Sequence, residues 1–487
     1  MSYATWLADT NAHRCILAEV VASVSGVETT LYWSSAGYTT SAADTPANTS
    51  YLPLIAGGVQ ISEEINLDGA PSLSYGDIEL FNISGAIDNY LDYVWVNRSV
   101  KVYIGDLSWS RSAFQIIFDG VIADIGSSSR DRLNIKIRDK FQRLNSPISD
   151  VKLGGTTPNA DVIVPLTFGE CFNVTPLLSN PATHEYTVHT GAIESIIEVR
   201  DNGVPVAGFT PSLATGKFTL TTSPAGTITA SIQGDKPTTY ANTISIIAQR
   251  LATGFGKSST RFVTADIDTT QLSAFEAAHT QTVGLYISDR TNVIDAIQQL
   301  ANSIGAQSVI SREGKLQILQ IALPPIDTPY SVGKADMVES SLAIEQRIDV
   351  KSSVKIGFCK NWTLQNNLNT GIPEAHKVIF STEFLTKTAT NSTTATNYKL
   401  DADPSQKDSL LCVGSEASAE ASRDLAIYST PRTLYMFEGF APLFILKLGQ
   451  AVTITHPRFG LSAGKTGVVT KLQPDWLTFR IRVGVLI

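Results

Sequence analysis

Several short runs in this chain approach the spacing of known chemical motifs, and each stops short of it. Gly256-Lys257-Ser258 ends like a phosphate-binding loop. Such a loop needs a glycine five residues before the second glycine, so that backbone N–H groups can wrap a phosphate. That position is Leu251, inside a run with helical periodicity. Gly464-Lys465-Thr466 fails in the same way, because Phe459 stands where the glycine should be and a strand follows instead of a helix. His184 and His189 lie five apart with Glu185 between them. A zinc-protease pair lies four apart on one helix face. Here the pattern is extended, and the two imidazoles are expected on opposite faces, as surface histidines.

The carboxylates give no firmer lead. Asp77/Glu79 and Asp401/Asp403 are acidic pairs of the kind that could serve as an acid and a base, but no other residue type singles them out. Asp401-Ala402-Asp403-Pro404-Ser405 lacks the glycine and closing glutamate of a calcium loop. No serine elbow of the G-x-S-x-G type occurs beside a histidine. The four cysteines, Cys15, Cys171, Cys359 and Cys412, are far apart in sequence. Metal and redox sites draw on close pairs, so four reduced thiols are expected. The six tryptophans (6, 33, 95, 109, 362 and 476) are scattered, as for core filling or interface packing. The expectation is no catalytic residue, no metal ligand, no cofactor and no enzyme.

Composition narrows the class further. The chain has 487 residues, 43% hydrophobic and 17% charged, enough apolar residues to bury several cores. Its net charge is −8, without a Lys/Arg block, whereas nucleic-acid binders carry a basic stripe for the phosphates. No sequence-specific DNA contact is expected. The opening MSYATWLADTNAHR does not read as a signal peptide. The most apolar run, FAPLFILKLG, is interrupted by Pro442 and Lys447, so no transmembrane segment is expected.

The elements that would carry these residues are mostly strands. SVKVYIGDL puts Val100, Val102 and Ile104 on one face, and RLNIKIRD alternates Leu133, Ile135 and Ile137 with Asn134, Lys136 and Arg138. This is the period of half-buried antiparallel strands. IIEVRDNGVPV turns at Asn202-Gly203, a hairpin signal. NTISIIAQRLATG, DTTQLSAFEAAH, SDRTNVIDAIQQLANSIGA and SEASAEASRDLAIY read as helices. The third ends at Gly305, and the hairpin after it turns at Glu313-Gly314. The Thr/Asn-rich stretch 386–397 reads as an exposed loop. The last strand, LTFRIRVGVLI, is expected to place Phe479, Ile481, Val483, Val485 and Ile487 inward and Arg480 and Arg482 outward. The fold class is β-rich multidomain (α+β). The expected divisions are a first β domain at 1–154, a small β domain at 155–237, an α+β domain at 238–322, and a second β domain at 323–487 with a polar, helical insertion at about 365–430.

Three segments together resemble a known family. NLDGAPSLSYGDIELFN with DYVWVNRSVKVYIGD resembles the amino-terminal part of tail hub and tail-tip proteins of long-tailed, siphovirus-type bacteriophages, which are similar to the baseplate hub of contractile phages. VGLYISDRTNVIDAIQQLANSIGAQSVISREGKLQI resembles their helix-plus-hairpin module. LGQAVTITHPRFGLSAGKTGVVTKLQPDWLTFRIRVGVLI resembles their closing barrel strands. The resemblance implies two tube-forming, β-barrel-like hub domains, 1–154 and 323–487, with the two inner units outside the ring. It implies a homotrimer forming a pseudo-sixfold ring that joins tail tube to tip and closes the channel until DNA ejection. Implied partners are the distal tail ring protein, the tape-measure protein, other baseplate proteins, and a central fibre or spike. The implied place is the virion, at the distal end of the tail, after assembly in the host cytoplasm. The chain lacks the lysozyme or peptidase module and the close cysteines of some relatives, which argues for a purely structural role. Its mild acidity suits a channel through which DNA slides. A receptor- or carbohydrate-binding tail protein is the alternative reading, motivated by the Thr/Asn-rich stretch and the small β domain. A wall-degrading hydrolase is the third.

Overall fold

The computed structural model describes residues 3–67, 75–400 and 403–487. The chain is β-rich, with several sheets, and forms two compact units. The first comprises Met1–Arg143, Gln307–Ile348 and Arg432–Ile487, and the second Leu144–Ala306 and Asp349–Pro431. Helix Val293–Asn302 and the strands of its following hairpin, grouped together at 238–322 above, therefore fall on either side of a cut. The stretch 365–430 falls inside the second unit. Residues 68–74 of the first resembling segment lie outside the described residues. Among the described residues no helix is long and apolar enough to cross a membrane.

A 13-stranded sheet makes the first unit. Its path runs through Val27–Ser34, Arg14–Val24, Ser99–Asp106, Gln115–Ser129, Arg132–Asp139, Tyr75–Phe81 and Ile55–Glu64. It continues through Lys465–Asp475, Arg480–Leu486, Arg432–Phe440 and Ala343–Ile348. Strands from the two ends of the chain meet where Glu64 faces Lys471 and Gln60 faces Asp475. The alternation seen in the sequence sets the faces: Leu133, Ile135 and Ile137 are buried, while Lys136 and Arg138 are exposed. One apolar core collects Val20, Val102 and Ile135 together with Leu472, Val483 and Phe437. In the last strand Ile481, Val483 and Val485 are buried as expected. Phe479 is not part of it. It sits in a turn at φ 55, before the strand begins at Arg480.

The second unit holds a 5-stranded sheet in the order Val204–Pro205, Ile193–Asp201, Ile228–Asp235, Leu166–Val174 and Gly284–Ile287. A 4-stranded and a 3-stranded sheet accompany it. Helices Ile244–Gly254, Thr269–Ala278, Val293–Asn302 and Gly414–Tyr428 lie where periodicity placed them. Gly305 takes φ 64 after the third, a conformation open to glycine at little cost. The stretch 386–397 is not a loop, which corrects the sequence reading. Strand Leu385–Thr390 pairs antiparallel with Ser353–Phe358, and helix Ser392–Tyr398 follows. The physical reason is that threonine is β-branched and suits a pleated surface, while the Asn391 side chain accepts a bond from Thr394 N–H and starts the helix.

Candidate assembly surface and the buried polar sites

The wet face of the first unit's sheet carries two rows of polar side chains. In one row, cross-strand partners run Asp124, Lys136, Asp77, Gln60, Asp475 and Arg480. In the other they run Arg138, Tyr75, Ser62, Gln473, Arg482 and Glu438. Gln473 Nε2 donates to Ser62 Oγ at 3.1 Å, Gln60 Nε2 to Asp475 Oδ2 at 3.4 Å, and Arg480 stands 3.7 Å from Glu438. Along these rows four acids stand among four bases, while the lining of the depression in this face holds four acids and two bases. Much of this face lines an open depression of about 840 Å³. Such pairs hold water and add little stability each. The Asp77/Glu79 pair belongs to this surface, with Arg132 3.8 Å from Glu79, and is part of a charge lattice instead of an isolated dyad.

The other motif fragments disperse. Leu251 is fully buried in its helix, and Lys257 lies in a loop whose N–H points to Ser146 Oγ at 3.4 Å. Lys465 opens a strand after Gly464 at φ 78. Asp403 is described but Asp401 is not.

His189 is buried, which corrects the expectation of a surface histidine. His184 sits in a turn at φ 55, half-buried. The His189 ring accepts at Nδ1 from Thr167 N–H at 3.1 Å, which leaves its proton on Nε2, 3.2 Å from Asp235 Oδ1. Arg250 Nε donates to Asp235 Oδ2 at 2.8 Å. Burial pushes the Asp235 carboxyl up, and the bonds from His189 and Arg250 outweigh it, so it is held below its ordinary value. An aspartate–histidine pair can serve as a general base only if the second ring nitrogen faces a reactive proton. Here that nitrogen is occupied by backbone, and the arrangement ties two strands and a helix together. The first unit has its counterpart in Arg111, whose Nη2 is 2.7 Å from Glu19 Oε1, with Tyr51 also bonded to Glu19. No sequence signal marked either network, because their members are far apart in the chain.

All four cysteines are free. Burial pushes each thiol up, Cys412 most plainly, with Cys171 and Glu170 adding to it. A neutral, buried thiol is a poor nucleophile and metal ligand. Among the described residues no group of three or more His, Cys, Asp or Glu side chains is placed to hold a metal.

Comparison with known proteins gives the following. No family model and no curated protein sequence matches the chain. Among the solved structures to which it is similar are the following. A 43 kDa tail protein of prophage MuSo2 from Shewanella oneidensis is 11% identical, with 96% of this chain and 98% of that one covered, at a TM-score of 0.41. A tail protein from Neisseria meningitidis MC58 is 10% identical, with 96% of each chain covered, at a TM-score of 0.37. A chain of the virion of a native gene transfer agent particle is 11% identical, with 71% of this chain and 91% of that one covered, at a TM-score of 0.42.

Proposed function

We propose that this chain is a structural hub protein at the distal end of a phage tail and performs no catalysis. The observation that carries the reading is the continuous wet face of the first unit's sheet, to which both ends of the chain contribute strands. A tube wall needs an antiparallel sheet with one face on a core and one in water. The depression in this face is lined by four acids, Asp77, Glu79, Glu438 and Asp475, and two bases, Arg480 and Arg482, so it offers no positive field to hold a phosphate backbone, and DNA slides past instead of sticking. The sheet also ends in strands that can pair onward. Among the described residues, Ala343–Ile348 has a strand partner on one side only, and the outer side of Val27–Ser34 is covered only at its end, where Trp33 bridges Leu52; an unpaired edge is a template for another chain.

In this reading, tube-forming domains come from 1–154 and 323–487, and three copies close a pseudo-sixfold ring. The segments 155–237 and 238–322 decorate it. The ring joins the tail tube, through the distal tail ring protein, to a central fibre or spike. It holds the tape-measure protein until DNA ejection. The sequence resemblance of three ordered segments supports the same assignment. Immunogold electron microscopy of intact particles tests it. Label at the distal tail end, followed by threefold density there, is the expected result. Label along peripheral fibres or on the capsid overturns the reading.

A further inference from the structure

Three of the four cysteines, far apart in the chain, come together in the second unit. Cys171 and Cys359 both add to the upward push on the Cys412 thiol, so each lies within electrostatic reach of it. Backbone bonds place two of them more closely. Cys359 follows directly on strand Ser353–Phe358, and its N–H donates to Leu411 O at 2.7 Å. That carbonyl belongs to the peptide unit that leads into Cys412, so Cys359 and Cys412 stand on facing backbones. Cys412 N–H turns the other way, to Thr282 O at 3.0 Å. Backbones joined in this way run about 4.8 Å apart, and a disulfide joins Cα atoms roughly 4.4–6.8 Å apart.

Position and access single out this pair. Cys359 is held at φ 51, a backbone that residues with a Cβ rarely adopt. Such backbone gathers at functional positions. Cys359 also lines a cavity of about 160 Å³, together with Asn173, Thr229 and Asn361. It is half-buried, and so is Cys412. Cys412 Sγ is held by main-chain oxygens, Glu170 O at 3.2 Å and Leu410 O at 3.8 Å. Cys171 is fully buried, and its Sγ donates to Phe168 O at 3.5 Å. Cys15 belongs to the first unit.

We propose that Cys359 and Cys412 form an oxidative cross-linking site, closed by a small-molecule disulfide. The inference does not rest on the hub reading and stands or falls without it. Cys359, as thiolate, attacks one sulfur of the small disulfide; that S–S bond breaks and one small thiol leaves. Cys412 then gives up its proton and attacks the Cys359 sulfur, and the second small thiol leaves with a proton. The two cysteines lose two electrons and two protons, and the small disulfide gains them. Neutral thiols make the exchange slow. The bridge ties the end of strand Ser353–Phe358 to the segment that leads into helix Gly414–Tyr428. The test incubates the full, folded chain with oxidised glutathione, blocks the remaining thiols with N-ethylmaleimide, and maps non-reduced peptides by mass spectrometry. The expected result is one new link, Cys359 to Cys412, with the thiol titre falling from four to two. Cys412→Ser is expected to stop at a glutathione adduct on Cys359, and Cys359→Ser to form no cross-link. Should either variant unfold, the wild-type peptide map decides alone. Four free thiols after prolonged oxidation overturn the proposal. So does a wild-type reaction that ends at the glutathione adduct, or a link from Cys412 to Cys171. A Cys359–Cys412 link that forms in the urea-unfolded chain alone overturns it as well.

Discussion

In the first unit charged side chains of neighbouring strands stand side by side on an open sheet face, whereas in the second His189, Asp235 and Arg250 close on one another, the first two of them buried. The same residue types do different work in the two places. On the open face each pair trades water for a partner and gains little, so the row can be altered without unfolding the sheet and is available to whatever passes or docks. Inside the second unit each group has lost its water, and its partners are the only compensation. The open arrangement offers a surface. The closed one holds a scaffold.

That contrast can be broken experimentally. The largest effect is expected from Gly169→Ala, in the second unit's main sheet. A Cβ there would lie 1.8 Å from Val283 O, on a residue at φ 64. Backbone has to move, and a loss of roughly 4 kcal/mol is expected in denaturant titration; tolerance of the alanine would show the closed unit to be looser than described. Next comes Ile481→Ala, which empties a fully buried site under the polar rows. About 3 kcal/mol should be lost, and hydrogen exchange should report it in strand Arg480–Leu486.

Asp235→Asn should cost about 2 kcal/mol at neutral pH, because Arg250 and His189 lose their anion. The pH dependence has a definite sign. The folded carboxyl titrates below its ordinary value, so its contribution is full above the unfolded value of roughly 3.9 and is lost as pH falls through the lower folded value. The gap between wild type and variant should therefore narrow in acid below that range. A gap that stays constant with pH would mean that Asp235 is not held as an anion. The smallest effect is expected from Arg480→Ala, one residue from Ile481 but on the wet face, 3.7 Å from Glu438. Its cost should stay within about 0.5 kcal/mol. A loss comparable to that of Ile481→Ala would abolish the distinction between the two faces.

Local pattern carried far in this chain. Strand Arg132–Asp139, helix Val293–Asn302 with Gly305 beyond it, and the Asn202-Gly203 hairpin were all readable, because each depends on neighbours within a turn or two. The stretch 386–397 was misread because its polar composition hid both threonine's preference for strands and the Asn391 cap. Of the surface rows, only the alternation within single strands was legible, as with Arg480 and Arg482.

By itself the sequence determined the β-rich class, the element types over most of the chain, and the failure of every motif fragment to reach a catalytic spacing. Those properties depend on residue type and short-range period. Only the tertiary structure decided that strands at residues 55–64 and 465–475 lie side by side, that His189 is buried against Asp235, and that Asn173, Thr229 and Asn361 line one cavity. The reason is physical: these pairings join residues dozens to hundreds of positions apart. They are selected by the burial of whole sheet faces and by the need to satisfy each buried polar group, neither of which leaves a local trace in the chain.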